Sequence, residues 1–278
     1  MTSERISQFS RGQYTFDVID SGPIDGTPVV LLHGFPQRAS SWNAVSEHLN
    51  ARGFRTYAPD QRGYSPGARP RTRWGYRGSQ LKADILALIN EIGGPVHLVG
   101  HDWGAGVAWA VAGGSPELIS SYTAVSVPHP GAFITSMVRS NQLLKSYYMA
   151  IFQIPLLPEL LLSRRFIAKA LKHAGMTNEM VEVYRKDIVE HGALSGGLGW
   201  YRGLPFTRNS EFTSKISVPT TMVWSDNDIA LGRKGVDLTE GFVSGPYELE
   251  VYEGLTHWIP DEAPERLAAS ITKRIESV

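Results

Sequence analysis

The chain has 278 residues, with 27 lysines and arginines against 27 aspartates and glutamates, and it contains no cysteine. This length accommodates one large α/β domain or two small ones. The balanced charge excludes a global field that would hold nucleic acid, a polyanionic substrate or an anionic membrane. The missing cysteine excludes disulfides, thiolate metal sites and a thiol nucleophile.

The first residues, MTSERISQFSRGQ, are polar and lack the apolar core of a secretory signal. The most apolar stretch spans residues 147–162 and contains Pro155 and Pro158. It is shorter than the roughly 18 residues that a membrane span needs. We therefore expect a cytoplasmic protein without a membrane span, acting on a small neutral organic molecule.

Short β-branched or apolar runs alternate with segments of helical periodicity over the first 129 residues. This alternation predicts a parallel sheet covered by helices on both faces. The predicted strands are 14–19, 29–33, 55–58, 96–100 and 122–127, and the predicted helices are 41–52, 79–92 and 104–113.

The pattern changes at residues 130–214, where helix-like pieces are broken by glycine and proline and few strand signals occur. Strand patterns return at 220–224 and 247–252, followed by a closing helix at 263–275. We therefore predict an α/β core domain formed by 1–129 and 215–278, with a helical cap inserted at 130–214.

The segment VHLVGHDWGAG places Asp102 in a G-x-D-x-G frame, directly after a predicted strand and before a predicted helix. Gly100 and Gly104 permit the sharp strand-to-helix turn of a nucleophile elbow, and the helix N-terminus favours negative charge there. Asp102 is thus a candidate nucleophile. The alternative is that Asp102 only caps the helix that follows.

A second motif, HGFPQ, follows the predicted strand 29–33 and places a turn at the carboxyl end of a neighbouring strand, where open α/β sheets bind ligands. We expect the backbone N–H groups of Phe35 and Trp103 to form an oxyanion hole. His33, in this motif, and His101, beside Asp102, are expected to orient their loops.

Two further motifs, WSDND and GLTHW, place an acid and a histidine just past the last two strands. The order Asp102, Asp228, His257 is nucleophile, acid and base, the chain order that this elbow motif uses. Asp226 lies in the same loop as Asp228 and is the alternative acid.

The four motifs match in type, order and spacing those of the epoxide hydrolase branch of the α/β-hydrolase superfamily, which this sequence resembles. The resemblance covers nearly the whole chain, more loosely in the cap. It implies that Asp228, at the last position of its loop, is the acid. It also implies that two cap phenols grip the oxirane oxygen: Tyr201 in GWYRG, and Tyr148 in YMAIFQ with Tyr147 as a possible substitute.

An aspartate nucleophile restricts the chemistry, because a carboxylate with a pKa of about 3.9 is already ionised at neutral pH. Its attack on an ester carbonyl would give a mixed anhydride, whereas its attack on a saturated carbon gives an ordinary ester. His257 could then activate water to hydrolyse that ester, oriented by Asp228. Epoxides and alkyl halides both offer such a carbon, and an epoxide also requires a proton donor.

Three functions are compatible with these residues: an epoxide hydrolase, a haloalkane dehalogenase with the same nucleophile, and a ligand-binding relative without catalysis. The dehalogenases use a tryptophan at the position of Trp103, but many carry asparagine where this chain has Phe35. Fluoroacetate dehalogenases share HGFPQ but carry arginine in place of Trp103. The sequence therefore favours the epoxide, with water as co-substrate and no cofactor or metal.

The substrate pocket is expected to be hydrophobic. The predicted substrate contacts are aromatic or apolar residues of the motifs and the cap: Phe35, Pro36, Trp103, Phe152 and Trp258. No nucleic-acid partner is expected, and the oligomeric state stays open between a monomer and a homodimer.

Overall fold

The structure is a computed structural model that describes residues 4–163, 167–208 and 213–278. Its centre is one eight-stranded sheet in the order β1-β2-β4-β3-β5-β6-β7-β8. The strands are β1 Gln8–Arg11, β2 Tyr14–Ser21, β3 Thr27–Leu32, β4 Phe54–Pro59, β5 Val96–His101, β6 Ile119–Val125, β7 Thr220–Ser225 and β8 Tyr247–Tyr252.

Strands β1 and β2 are antiparallel to their neighbours, and the remaining strands, from β4 to β8, pair in parallel. The mostly parallel sheet that the sequence predicts is thus confirmed. All seven predicted strands are present. Strand β1 was missed because it has four residues and a single strongly buried side chain, Phe9, which is too little for a periodic signal.

Helices cover both faces of the sheet. They are α1 Asn43–Asn50, α2 Gly78–Ile92, α3 Trp103–Gly114, α4 Pro130–Arg139, α5 Gln142–Lys145, α6 Tyr147–Ile151, α7 Leu157–Leu162, α8 Ile167–His173, α9 Asn178–Tyr184, a π-helix Arg185–Glu190, α10 Leu194–Gly203, α11 Arg233–Thr239, α12 Ile259–Glu262 and α13 Pro264–Glu276. In the described part of the chain, none of them combines the length and the apolar character that crossing a bilayer requires.

Consecutive residues of β3 alternate between two apolar clusters. Val30 and Leu32 belong to one cluster, whereas Val29 and Leu31 belong to the other. This alternation is the period of two that a strand buried on both faces must show. The sheet core therefore lies in two layers, one on each side of the central strands.

Helices α4 to α10 follow one another between β6 and β7, where the sequence predicts the cap. The register of β3, β5 and β6 brings their carboxyl ends to one edge, because Leu32 pairs with Gly100 and His101 pairs with Val125. That edge carries the loop after β3 and the turn after β5, which hold Phe35 and Asp102, while Asp228 and His257 follow β7 and β8.

Candidate active site

Asp102 occupies the sharp turn between β5 and α3. Its φ of 51° lies in the left-handed region, which costs a residue with a side chain roughly 1–3 kcal/mol. A side chain at Gly104 would overlap the Leu32 carbonyl oxygen, so glycine lets α3 begin directly against β3. The backbone thus forces the carboxylate of Asp102 to project from the sheet edge.

The Asp102 carboxylate makes no helix-capping hydrogen bond to α3. Its Oδ1 instead accepts a 2.7 Å hydrogen bond from the backbone N–H of Phe35, and the nearby backbone N–H of Trp103 helps to lower the pKa of this carboxyl. A side chain at Gly34 would overlap the Asp102 side chain, so glycine permits this close approach of the HGFPQ loop. The two N–H groups assigned to an oxyanion hole thus converge on one carboxylate.

His257 lies between two carboxylates. Its Nδ1 is 2.7 Å from Asp228 Oδ2, and its Nε2 is 3.5 Å from Asp102 Oδ2. Asp228 is buried and also accepts backbone N–H bonds from Ala230 and Leu231, at 2.8 and 2.9 Å. Of the two candidate acids, Asp228 is therefore the one that contacts the imidazole. The exposed Asp226 accepts a hydrogen bond from the backbone of the glycine at position 254 instead.

The charges of this cluster stabilise one another. Burial raises the pKa of the Asp102 carboxyl, but the hydrogen bond and charge of His257 outweigh burial and hold that pKa below its ordinary value. Burial lowers the pKa of His257, but the charges and hydrogen bonds of Asp228 and Asp102 raise it to about 10. At neutral pH the free site is thus an imidazolium between two carboxylates.

The backbone carbonyl of His257 is held by two side chains. His101 Nε2 lies 2.9 Å from this oxygen, and Ser126 Oγ donates to it at 3.1 Å. Burial lowers the pKa of His101 to about 4, so its ring is neutral and can donate through one nitrogen only. His101 therefore lies where it orients the loop of His257. Ser126 was not predicted, because a serine at a strand end carries no special sequence signal.

His33 is buried beneath the HGFPQ loop. Its Nε2 accepts a 3.1 Å hydrogen bond from the backbone N–H of Gln61, whose side chain donates to the His33 carbonyl at 2.6 Å. Burial lowers the pKa of His33 to about 4. The ring is thus a neutral acceptor that ties two loops together, as expected from its place in the motif.

Two cap tyrosines line the same cavity as Asp102. The rings of Tyr148 and Tyr201 are 6.1 Å apart, and Tyr201 lies edge to face with Trp103 at 4.9 Å. Burial raises the pKa of both phenols, so both stay protonated at neutral pH. Tyr147 is 67% exposed and is not among the lining residues, so of the two neighbouring tyrosines Tyr148 is the one at the cavity.

The Trp103 side chain lies edge to face with Tyr201 and partly offsets the effect of burial on the pKa of that phenol. Because the indole nitrogen has no lone pair to accept with, this contact leaves the phenol proton of Tyr201 available for another acceptor.

The cavity has a volume of about 250 Å³. Polar groups are few: the carboxylate of Asp102, the two phenols and the hydroxyl of Thr207. The other lining residues are mostly apolar: Trp103, Gly106, Val127, Pro128, Pro130, Phe133, Ile134, Met137, Met149, Leu204 and Leu231. An apolar cavity with a few convergent polar groups is typical of a site for a small organic ligand.

The other predicted substrate contacts are not among the residues that line this cavity. Phe35 and Phe152 pack on the ring of Tyr201, with centroids 5.5 and 4.9 Å away. Pro36 is buried next to Phe35 in the loop. The structure does not bring Trp258 to the cavity: its indole N–H donates to the carbonyl of Ala174, because this ring packs between the cap and His257.

The family assignment follows from comparison with known proteins. The sequence model described as the alpha/beta hydrolase family matches residues 29–270. The chain belongs to the α/β-hydrolase family. This hydrolase is 36% identical to the AB hydrolase superfamily protein YfhM of Bacillus subtilis over 259 residues, which is 90% of either chain. It is 32% identical to epoxide hydrolase 3 of Xenopus tropicalis over 266 residues, covering 91% of this chain and 72% of that one.

Solved structures agree with these relatives. Epoxide hydrolase VrEH1 from Vigna radiata superposes with a TM-score of 0.80 at 28% identity, over 95% of both chains. An epoxide hydrolase from metagenomes of hot environments superposes with a TM-score of 0.84 at 28% identity, over 99% of both chains. The resemblance to the epoxide hydrolase branch that the motifs indicate is thus confirmed for this hydrolase.

Several lining residues on α4 escaped the sequence analysis. Pro130, Phe133, Ile134 and Met137 lie at positions i, i+3, i+4 and i+7, which place them on one helical face. That spacing was available in the sequence, but it predicts only a buried face and does not say what the face covers. Among the described residues, no cluster of histidine and carboxylate side chains has the arrangement of a metal site.

Proposed function

We propose that this α/β-hydrolase is an epoxide hydrolase, which converts an epoxide and water to a vicinal diol through a covalent ester of Asp102. The observation that carries the proposal is that an ionised carboxylate and two protonated phenols, those of Tyr148 and Tyr201, line one apolar cavity. An epoxide needs both a nucleophile and a proton donor, and this cavity holds both.

In the first step, Oδ2 of Asp102 attacks a ring carbon of the epoxide, and the bond between that carbon and the oxirane oxygen breaks. Oδ1 stays on the N–H groups of Phe35 and Trp103, which keep it as the future ester carbonyl. The departing oxygen takes the phenol proton of Tyr201 or Tyr148. The Trp103 side chain, which lowers the pKa of Tyr201 against the effect of burial, would stabilise the resulting phenolate.

Formation of the ester changes the protonation of His257. The free carboxylate of Asp102 is one of the two charges that raise the pKa of His257 to about 10. Esterification removes that charge, so the pKa falls and the imidazolium gives up a proton, which restores the phenol. The neutral imidazole, still oriented by Asp228, is then a base.

In the second step, His257 takes a proton from a water molecule as its oxygen attacks Cγ of Asp102. Negative charge develops on Oδ1, where one good N–H donor contributes roughly 3 kcal/mol of stabilisation. The tetrahedral intermediate then collapses, the ester bond breaks, and the diol leaves with the proton from His257. The carboxylic acid that remains on Asp102 gives its proton to the neutral His257, which restores the carboxylate and the imidazolium of the free site.

The polar lining of the cavity disfavours the dehalogenase alternative. A halide would need N–H dipoles and gains nothing from phenols, yet two phenols line the cavity. A ligand-binding protein without catalysis would not need His257 in contact with both Asp102 and Asp228.

The proposal is tested by incubating the protein separately with styrene oxide and with a bromoalkane, and by measuring diol and bromide. Diol without bromide is expected. In parallel, His257→Gln is expected to stall after the first step, so that intact mass spectrometry shows an adduct equal to the mass of styrene oxide. Bromide without diol would establish the dehalogenase, and no product with either compound would favour the binding protein.

We also propose 130–214 as the cap domain, with core segments 1–129 and 215–278, and Phe35, Pro36 and Phe152 as residues that shape the substrate pocket. The residues 164–166 and 209–212 of this cap lie outside the described residues. The cytoplasmic location stays a prediction.

A further inference from the structure

Exposed apolar side chains are concentrated in one part of the cap. Of the sixteen large hydrophobic residues that are exposed in the described part of the chain, ten fall between positions 134 and 161. Soluble proteins scatter such residues, and a cluster of them marks an interaction surface. We define the cap apolar patch as its first part, on α4 to α6: Ile134, Val138, Leu143, Leu144 and Tyr147.

From the end of α4 through α5, the usual polarity of a surface helix is reversed. Polar side chains face inward: Ser136, Gln142 and Ser146 are buried. Leu144, by contrast, is 76% exposed, and Val138 is 84% exposed. An amphipathic helix of a soluble protein places its apolar stripe toward the core. The outward apolar side chains of this surface therefore indicate contact with an apolar partner.

The inward polar residues hold α5 in this orientation. Gln142 Nε2 donates to the Ala230 carbonyl at 2.7 Å, and Gln142 Oε1 accepts from the backbone N–H of Gly232 at 2.8 Å. Because these bonds fix α5 on the loop after β7, the two leucines beside Gln142 cannot turn inward without breaking buried hydrogen bonds. Their exposure is therefore part of the fold.

The cap apolar patch adjoins the mouth of the catalytic cavity. Ile134 lines the cavity and is also 47% exposed, the most exposed of the lining residues. Val138 follows it one turn later on α4. A protein bound permanently over this patch would obstruct the entrance, whereas a surface from which an apolar molecule can pass into the cavity would not.

The charged residues near the cap apolar patch indicate which kind of surface the patch contacts. The chain contains no aspartate or glutamate from residue 118 to residue 158, whereas Arg139 and Lys145 lie within that stretch. Arg139 is exposed at the end of α4. The net charge of the whole chain is zero, so the attraction is local. Asp237 lies on the neighbouring α11, where it is paired with Arg233. A cation beside exposed leucines is a combination that favours binding to a bilayer containing anionic lipids.

We propose that the cap apolar patch docks on the surface of a phospholipid bilayer that contains anionic lipids, so that apolar substrate enters the cavity from the bilayer past Ile134. The inference needs only the apolar cavity and its mouth, and it does not depend on the reaction catalysed inside. The contact is peripheral: side chains of α4 to α6 insert at the lipid interface while the sheet domain stays in water.

The test is co-sedimentation of the full chain with vesicles of phosphatidylcholine, with or without phosphatidylglycerol. Wild type is expected to bind the mixed vesicles. The double variant Val138→Asp/Leu144→Asp is expected to bind them at least about tenfold more weakly, because carboxylates replace the inserting groups. The control is Val183→Asp, an exposed valine of α9 outside the patch, and it should bind like wild type.

A second variant isolates the charge and leaves the apolar residues in place. Arg139→Glu is expected to weaken binding to the vesicles with phosphatidylglycerol and to leave binding to phosphatidylcholine unchanged. Unaltered far-UV circular dichroism and turnover of dissolved epoxide would show that each variant is folded. Because sedimentation needs no turnover, its result is independent of the proposed reaction.

The proposal is overturned if wild type binds neither kind of vesicle, or if the double variant binds as well as wild type. It is also overturned if analytical ultracentrifugation shows a wild-type dimer that the double variant dissociates while vesicles stay unbound. The patch would then be an interface between two copies of the chain.

Discussion

The sheet edge and the cap contribute to one cavity by different means. At the sheet edge, backbone contacts that only glycine permits, at Gly34 and Gly104, fix Asp102 against two N–H groups. In the cap, glycine at position 196 lets α10 approach the backbone of Gly63, but the rings of Tyr148 and Tyr201 are placed by packing of aromatic side chains. The proposed nucleophile thus depends on main-chain geometry, whereas the orientation of the proposed proton donors depends on side-chain packing.

This comparison predicts that changes at the sheet edge have the largest effects on turnover. Asp102→Ala removes the proposed nucleophile, so turnover of styrene oxide is expected to fall by about 10⁴-fold or more. The control is Asp226→Ala, which removes the exposed carboxylate of the acid loop and should retain most of the activity. Substantial multiple turnover by Asp102→Ala would show that the sheet edge does not supply the nucleophile.

Removal of the cap phenols should have a smaller effect, because the nucleophile remains. General acid catalysis contributes about 10²-fold or more, so Tyr148→Phe/Tyr201→Phe is expected to slow ester formation by that factor in stopped-flow measurements. Tyr147→Phe serves as the matched control, since this ring is exposed. A double variant that forms the ester at the wild-type rate would assign both phenols to packing.

A stability measurement sharpens the role of the backbone at the sheet edge. In Gly104→Ala the new methyl group would overlap the Leu32 carbonyl, so the free energy of unfolding should fall by about 1–3 kcal/mol. Gly106, on the same helix, has nothing within 4 Å of an added methyl group. Gly106→Ala should therefore be neutral or stabilise by up to about 1 kcal/mol. Equal urea midpoints for the two variants would contradict the close approach.

The smallest effect concerns pH. The pKa of His257 is raised to about 10 in the folded protein, above the value of about 6.5 expected when unfolded. Its contribution to stability is therefore fully present below pH 6.5 and is lost as pH rises toward 10. The free-energy advantage of wild type over His257→Gln in urea unfolding should shrink across that interval. A constant difference would mean that the imidazolium is not stabilised.

The sequence predicts the sheet edge well because its geometry is encoded locally. The frame around Asp102 and the HGFPQ loop each combine glycines with the functional residue, so the turn and the chemistry are visible in one short segment. Seven strands also have apolar runs that periodicity detects. Strand β1 and Ser126 carry no such signal, because their roles arise from pairing and from a contact made across the fold.

The cap is predicted less completely for the same physical reason. Helical spacing on α4 indicates a buried face, but only the tertiary structure shows that this face lines the cavity. Trp258 illustrates the converse: its place beside His257 suggested a substrate contact, whereas in the structure its indole N–H donates to the carbonyl of Ala174. The reversed polarity of α5 is likewise invisible until burial is known.

The most direct test of the central claim, a covalent ester on Asp102, is a single turnover of excess enzyme in ¹⁸O-labelled water, followed by peptide mass spectrometry. Water attacks Cγ of the ester, so the account predicts that one heavy oxygen enters the carboxylate of Asp102 and that the first diol released is unlabelled. A labelled diol with an unlabelled Asp102 peptide would show that water attacks the epoxide directly, and would contradict the account.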